Sequence, residues 1–133
     1  MPTAVIVDDS PIVRIQLRQI LTRIGCTIVA EAATGDEVRA LYERHRPDLI
    51  TLDIVMPGKD GVAAAVELLH DFPTAVIVMC TSLTTRDKIL ACQRAGVSHY
   101  LLKPFDPARA EQVFRFALEK AERVEVAVVR SAP

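Results

Sequence analysis

DLITLDIVMPGKDG, residues 48 to 61, is the stretch on which the reading of the fold turns. Its first part, DLITL (48 to 52), is apolar almost without interruption and does not alternate. A strand of that composition needs apolar cover on both faces, which a parallel sheet flanked by helices provides. Asp53 then closes the run, and next comes an apolar turn, IVMPG, with no helix for the carboxylate to cap. A strand that ends on an acid with no capping duty points to a ligand site at a sheet edge.

Similar strand-length runs recur at nearly even intervals: AVIV (4 to 7), TIVAEA (27 to 32), AVIVM (75 to 79) and SHYLL (98 to 102). The first and fourth share the unbroken apolar character of DLITL, so these three are expected at the centre of the sheet. Between the runs lie segments of helical spacing. Val13, Leu17, Ile20, Leu21 and Ile24 mark the first, and Val113, Phe114, Ala117, Leu118 and Ala121 the last. Ser10 before Pro11, and Asp106 before Pro107, read as N-caps followed by a first helical proline. Thr34 with Glu37 has capping-box spacing, and Thr84 with Asp87 a near variant. Gly25 and Gly96 sit where left-handed caps are expected, and Pro47 stops the second helix at or before Arg46. The sum is five strand-helix repeats, an α/β doubly wound parallel sheet with five helices on its two faces. Residues 123 to 133 (RVEVAVVRSAP) lie beyond that pattern as a tail, open to extending the last helix, forming a short strand or staying disordered.

The chain has 133 residues, half hydrophobic and a quarter charged, which fits one domain with a real core. Sixteen basic and seventeen acidic side chains leave a net charge of -1. Their interspersed placement offers no basic footprint for direct nucleic-acid binding. Cys26, Cys80 and Cys92 share no metal-ligand spacing, and free thiols suit a reducing cytoplasm. No signal peptide is legible and no apolar stretch spans a bilayer, so a cytoplasmic protein without membrane insertion is expected.

In a doubly wound sheet the polar residues at the carboxyl ends of the strands carry the chemistry. They are Asp8, Asp9 and Ser10 after the first strand, Asp53 after the third, Thr81 and Ser82 after the fourth, and Lys103 and Pro104 after the fifth. Three carboxylates gathered at neutral pH demand a cation or shifted pKa values. All-oxygen donors point to magnesium or manganese, with a phosphoryl group completing the shell. An aspartate can attack phosphorus, Lys103 can neutralise the equatorial oxygens, and Thr81 can donate to one of them.

With those residues in view, the chain resembles a receiver domain of two-component response regulators, most nearly the single-domain, chemotaxis-regulator type. The matching stretches are VDDS (7 to 10), LDIVMPGKDG (52 to 61), the Thr81-Ser82 pair and HYLLKPF (99 to 105), and the likeness covers about residues 3 to 122. The resemblance implies a flavodoxin-like sheet of strand order 2-1-3-4-5. It also implies a receiver domain over residues 1 to 122, with the tail outside it. By position Asp53 would be the phosphoacceptor, with Asp8, Asp9, Asp53 and the backbone carbonyl of Val55 around Mg2+, or Mn2+ in its place. Thr81 and Lys103 match the phosphoryl-sensing hydroxyl and the charge-pairing lysine, Tyr100 the aromatic switch, and Met56, Pro57 and Gly61 the turn after the acceptor. The donor would be a sensor histidine kinase or a phosphotransfer protein, and the output a downstream protein target. Without an output domain in these residues, the effect is expected to pass through a partner.

Some positions depart from the family pattern. Ser82 replaces the usual alanine after the switch threonine. Val55 and Leu83 are apolar where some relatives carry polar groups that position hydrolytic water, which predicts slow to moderate loss of the phosphoryl group. GVSHY (96 to 100) lacks the acidic pair of receivers that dimerise through their fourth and fifth helices, which argues against that dimer. A metal-dependent phosphohydrolase is disfavoured because neither Asp8 nor Asp53 is followed two residues later by a second aspartate. A phosphorylation-independent interaction module is the alternative, weakened by the complete acidic set. His45, His70 and His99, Cys80, and the cations Arg86, Lys88 and Arg94 read as core or solvated positions. Phe72 with Pro73 reads as a turn, and Phe105 as packing under the last helix.

Overall fold

The computed structural model describes residues 1 to 82 and 86 to 131, with side chains through residue 120. Five parallel strands, β1 (Thr3–Val7), β2 (Thr27–Ala32), β3 (Leu49–Asp53), β4 (Ile77–Thr81) and β5 (His99–Leu102), form one sheet in the order β2-β1-β3-β4-β5. The helices are α1 (Pro11–Arg23), α2 (Val38–His45), α3 (Gly61–Asp71), α4 (Arg86–Ala95) and α5 (Pro107–Ser131). The doubly wound architecture and its strand order are therefore those expected.

Alternation along each strand divides the core in two. Val5, Val7, Ile50, Leu52, Ile77 and Met79 face one layer, with Val38 and Tyr42 of α2, Ala65 and Leu68 of α3 and Cys92 of α4. Ala4, Ile6, Leu49, Val78 and Cys80 face the other, with Leu17, Ile20 and Leu21 of α1 and Phe114 and Ala117 of α5. The apolar stripes of α1 and α5 thus cover the same side, and Phe105 packs there as well. β3 and β4 are buried along their whole length, and β1 after its first residue, while β2 and β5 at the edges are only partly so. Unbroken apolar runs sit where both faces are covered.

The helix ends show where local signals act and where they yield. Ser10 caps α1 by accepting from the Val13 N–H at 3.3 Å, with Pro11 at the first position. Gly25 and Gly96 carry positive φ, as left-handed caps. α2 stops at His45 before Pro47, with Arg46 itself left-handed at φ 44°. The capping box of Thr34 and Glu37 does not form. Thr34 instead precedes a 3-10 turn, Gly35–Glu37, and neither residue makes a side-chain cap bond. Tertiary contacts claim that segment: the Gly35 N–H donates to the Lys59 carbonyl at 3.1 Å, and the Lys59 N–H donates to Asp36 Oδ2 at 3.3 Å. The residues between β2 and α2 are thereby docked onto the turn after β3. Thr84 of the second expected cap, Leu83, and the Ala121 side chain lie outside the described residues.

Strand boundaries move at two of the candidate site residues. Asp53 and Thr81 are the last residues of β3 and β4, where the sequence placed them just after their strands. The ladder runs through them because it uses only backbone, pairing Asp53 with Cys80 and Thr81 with Leu102. β4 also begins later than AVIVM implied. Ala75 is held in the turn after α3, its N–H donating to the Phe72 carbonyl at 3.0 Å.

Candidate functional site

All strands point the same way, so Asp8, Asp53, Thr81 and Lys103 meet along one edge of the sheet. Asp8, directly after β1, is fully buried, Asp53 is 7% exposed and Thr81 1%. The start of α1 fixes Asp8: the Ser10 N–H donates to Asp8 Oδ1 at 2.9 Å, and Arg14 Nη1 donates to the Asp8 carbonyl at 2.6 Å. Asp8 Oδ2 accepts from Lys103 Nζ at 2.8 Å, and the same ammonium lies 3.4 Å from Asp53 Oδ2. Lys103 is anchored by its own N–H, which donates to the Thr81 carbonyl at 2.7 Å, and it precedes Pro104 through a cis peptide bond. Asp53 accepts from the Val55 N–H in the turn beyond β3.

That turn closes tightly on the acid. The Gly61 N–H donates to the Ile54 carbonyl at 2.8 Å, and a Cβ at Gly61 would lie 2.0 Å from the Asp53 carbonyl oxygen. Only glycine permits that approach. Asp60 caps α3 by accepting from the Ala63 N–H at 2.9 Å.

The electrostatics stem from burial. Desolvation and then the Asp8 charge push the Asp53 carboxyl above its ordinary range, against the pull of Lys103 and the Val55 N–H. Burial alone would lower Lys103, but its hydrogen bond to Asp8 and the charges of Asp8 and Asp53 outweigh that and leave the ammonium raised. The site is therefore a carboxylate pair under strain, partly relieved by one cation. Asp9, which is exposed, completes a trio with Asp8 and Asp53 whose ligand oxygens all lie within 4.8 Å of one another. All three donors are carboxylate oxygens, the chemistry that suits a hard divalent cation.

Asp8, Asp9, Asp53 and Lys103 are thus brought together, with Thr81 one strand over and tied to Lys103 through the backbone. The Thr81 hydroxyl contacts the Ser82 carbonyl at 3.5 Å. Val55 flanks the acid with its N–H inward and its side chain largely exposed. Tyr100 is not part of this cluster. Its hydroxyl donates to the Val97 carbonyl at 3.0 Å, and its ring packs against the core layer that holds Cys92 and Val97. Burial, then Cys92, pushes that phenol up to about 12. The same cause takes the deeply buried Cys80 thiol to about 12, which suits a core residue. Arg14, Asp36 and Asp60 were not singled out from sequence. Asp60 before Gly61 and an apolar helix is a readable cap signal, whereas the contacts of Arg14 and Asp36 depend on the fold.

This arrangement of fold and site defines a class, and comparison with known proteins names it. Residues 4 to 115 match the response regulator receiver domain, and the chain belongs to that family. It is 34% identical over 104 residues to the chemotaxis protein CheY of Thermotoga maritima, covering 78% of this chain and 87% of that one. It is 37% identical over 129 residues to the transcriptional regulatory protein PdtaR of Mycobacterium tuberculosis, covering 93% of this chain and 62% of that one. Among solved structures, the CheX-CheY-BeF3-Mg2+ complex from Borrelia burgdorferi superposes with a TM-score of 0.80 at 32% identity, covering 86% of this chain and 87% of that one. The chain is accordingly a CheY-like receiver domain, the kind of module that serves as a signalling switch. Among the described residues, no helix is long and apolar enough to cross a membrane.

Proposed function

We propose that this protein takes a phosphoryl group on Asp53 from a sensor histidine kinase or a phosphotransfer protein and signals to a downstream protein target through the resulting change of conformation. The observation that carries the proposal is the buried Asp8 and Asp53 pair bridged by Lys103 at 2.8 and 3.4 Å, with Asp9 beside it. Asp8, Asp9, Asp53 and the Val55 carbonyl are the groups that would hold Mg2+, and Mn2+ fits the same oxygen donors. The bound ion supplies neutralisation of charge on the transferring phosphoryl oxygens.

An oxygen of Asp53 forms the new bond to phosphorus as the bond to the donor's histidine nitrogen breaks. The imidazole leaves with the electron pair and takes up a proton. Lys103, already between the two carboxylates, then pairs with a phosphoryl oxygen, and the Thr81 hydroxyl donates to another. Tyr100 gives up its bond to Val97 as β4, α4 and β5 rearrange. The protein's product is that rearrangement, so it is not an enzyme in the metabolic sense, and its only chemistry is self-catalysed transfer and hydrolysis. We take residues 1 to 122 as the receiver unit and 123 to 133 as its tail. The unpaired, buried cysteines support assignment to the cytoplasm.

Incubation with a small phosphodonor and Mg2+, then intact mass measurement, tests the reading. A single, metal-dependent phosphoryl addition is expected in the wild type and none in Asp53→Ala. No adduct with any donor or metal would transfer the function to a phosphorylation-independent interaction module. Decay over minutes or longer is expected from the apolar side chain of Val55, whereas loss within seconds would contradict it.

A further inference from the structure

At the opposite end of the sheet from the acids, under the amino ends of β3, β4 and β5, lies a cavity of about 510 Å³. That volume lies within the range of about 300 to 1,000 Å³ typical of small-molecule sites. Its walls are apolar where Tyr42, Leu69, Pro73 and Val97 line it, and polar where Thr74 and Ser98 do.

The charges around it are unevenly committed. Asp48 is the acid of the lining, and its Oδ2 already accepts from the Thr3 N–H at 2.7 Å and from the Thr3 hydroxyl at 3.3 Å. The cations of the lining are Arg46 and Lys120. Neither is within ion-pair distance of a carboxylate among the described residues; each is held against an aromatic ring instead. The Arg46 guanidinium lies 4.3 Å from the Phe72 ring centre and 5.8 Å from that of Tyr42, and Lys120 Nζ lies 5.7 Å from that of Phe116. A ring steadies a cation while leaving its N–H donors open to an anion. His99, also in the lining, is pulled below the usual histidine range by burial and then by Lys120.

A concave apolar wall beside two steadied cations, with the neighbouring acid already engaged, selects for one kind of ligand. We propose that this cavity is a binding site for a small organic anion, a carboxylate or phosphate on a flat apolar body, whose charge is met by Arg46 and Lys120. The proposal stands apart from the phosphoryl chemistry at the other end of the sheet.

The test uses 3-phenylpropionate as probe on the full chain, with amide chemical shifts as the readout. Its neutral isostere 3-phenylpropanamide and inorganic phosphate serve as controls for charge and for the apolar body. Saturable shifts are expected at Thr74, Val76 and Ser98, with binding at least about fivefold weaker for the amide and for phosphate alone. Arg46→Gln and Lys120→Gln should each weaken binding by about the same factor while the thermal transition stays in place. Equal binding of the amide, indifference to both substitutions, or no saturation below about 50 mM, a free energy of under 2 kcal/mol, would each overturn the proposal. Should Arg46→Gln disturb the fold, Lys120→Gln alone decides, because Lys120 is exposed at the end of the described side chains.

Discussion

The interiors of β1, β3 and β4 and their carboxyl ends are equally buried and chemically opposite. Ile6 and Asp8 are both fully buried, two residues apart in the chain. Along the interior, burial removes apolar surface from water and is favourable at about 25 cal/mol per Å². At the ends the same burial opposes charge, and what holds it is pairing: Lys103 between Asp8 and Asp53, the Ser10 N–H on Asp8, the Val55 N–H on Asp53. The comparison teaches that this site is not an interruption of the core but a continuation of it under a different rule. Every polar group there must keep its partner.

Four substitutions would break or sharpen that contrast. Gly61→Ala should do most damage, because the added Cβ meets the Asp53 carbonyl at 2.0 Å and the Ile54 Cα at 2.7 Å, neither of which can turn aside as a side chain could. A loss of more than about 3 kcal/mol in urea unfolding is expected, and a loss under about 1 kcal/mol would show that the turn yields freely. Lys103→Met leaves two buried carboxylates facing each other. With a chelator present it should cost about 2 kcal/mol, below the usual figure for a broken buried pair because the lysine is partly exposed, and Mg2+ should restore part of it. If Mg2+ stabilises this variant no more than it stabilises Asp53→Asn, the metal is not meeting these carboxylates.

A smaller effect is expected from Asp53→Asn itself, and its sign depends on pH. Because the folded-state pKa of Asp53 is raised, its contribution to stability is fully present below the ordinary carboxylate range and is lost as pH rises through the raised value. The variant should therefore unfold later than wild type at neutral pH in chelator, with the gap closing as pH falls. A gap independent of pH would show that the ionised carboxylate is not strained. The least effect belongs to Thr51, which violates the rule of the interior: its Oγ1 is buried in β3 with no hydrogen-bond partner among the described residues. Thr51→Val should stabilise by up to about 1 kcal/mol, and a clear loss in thermal unfolding would show that the hydroxyl has a partner in solution.

Much of this was legible in the chain. The unbroken apolar runs located the three central strands because only a doubly covered strand tolerates them, and Ser10 with Pro11 marked the start of α1 by chemistry confined to neighbours in sequence. Asp8, Asp9, Asp53 and Lys103 were readable as a set because a parallel sheet must gather its strand ends. The signals that failed were those open to competition. Thr34 and Glu37 had the spacing of a cap, yet contacts of Gly35 and Asp36 with Lys59 drew the segment elsewhere, and the ladder carried Asp53 and Thr81 inside strands whose ends composition had set one or more residues away.

The sequence by itself determined the order of elements, the strands that lie in the middle, and the residue types that meet at the carboxyl edge, since each derives from local pattern and from the direction of a parallel sheet. Only the tertiary structure decided that Lys103 sits closer to Asp8 than to Asp53, that the Tyr100 hydroxyl is engaged by Val97 and stands apart from the acids, and that Arg46 and Lys120 border one cavity. The reason is distance along the chain. Lys103 and Asp8 are 95 residues apart, and which of two nearby carboxylates an ammonium approaches is settled by backbone positions to within an ångström, information that no local pattern carries.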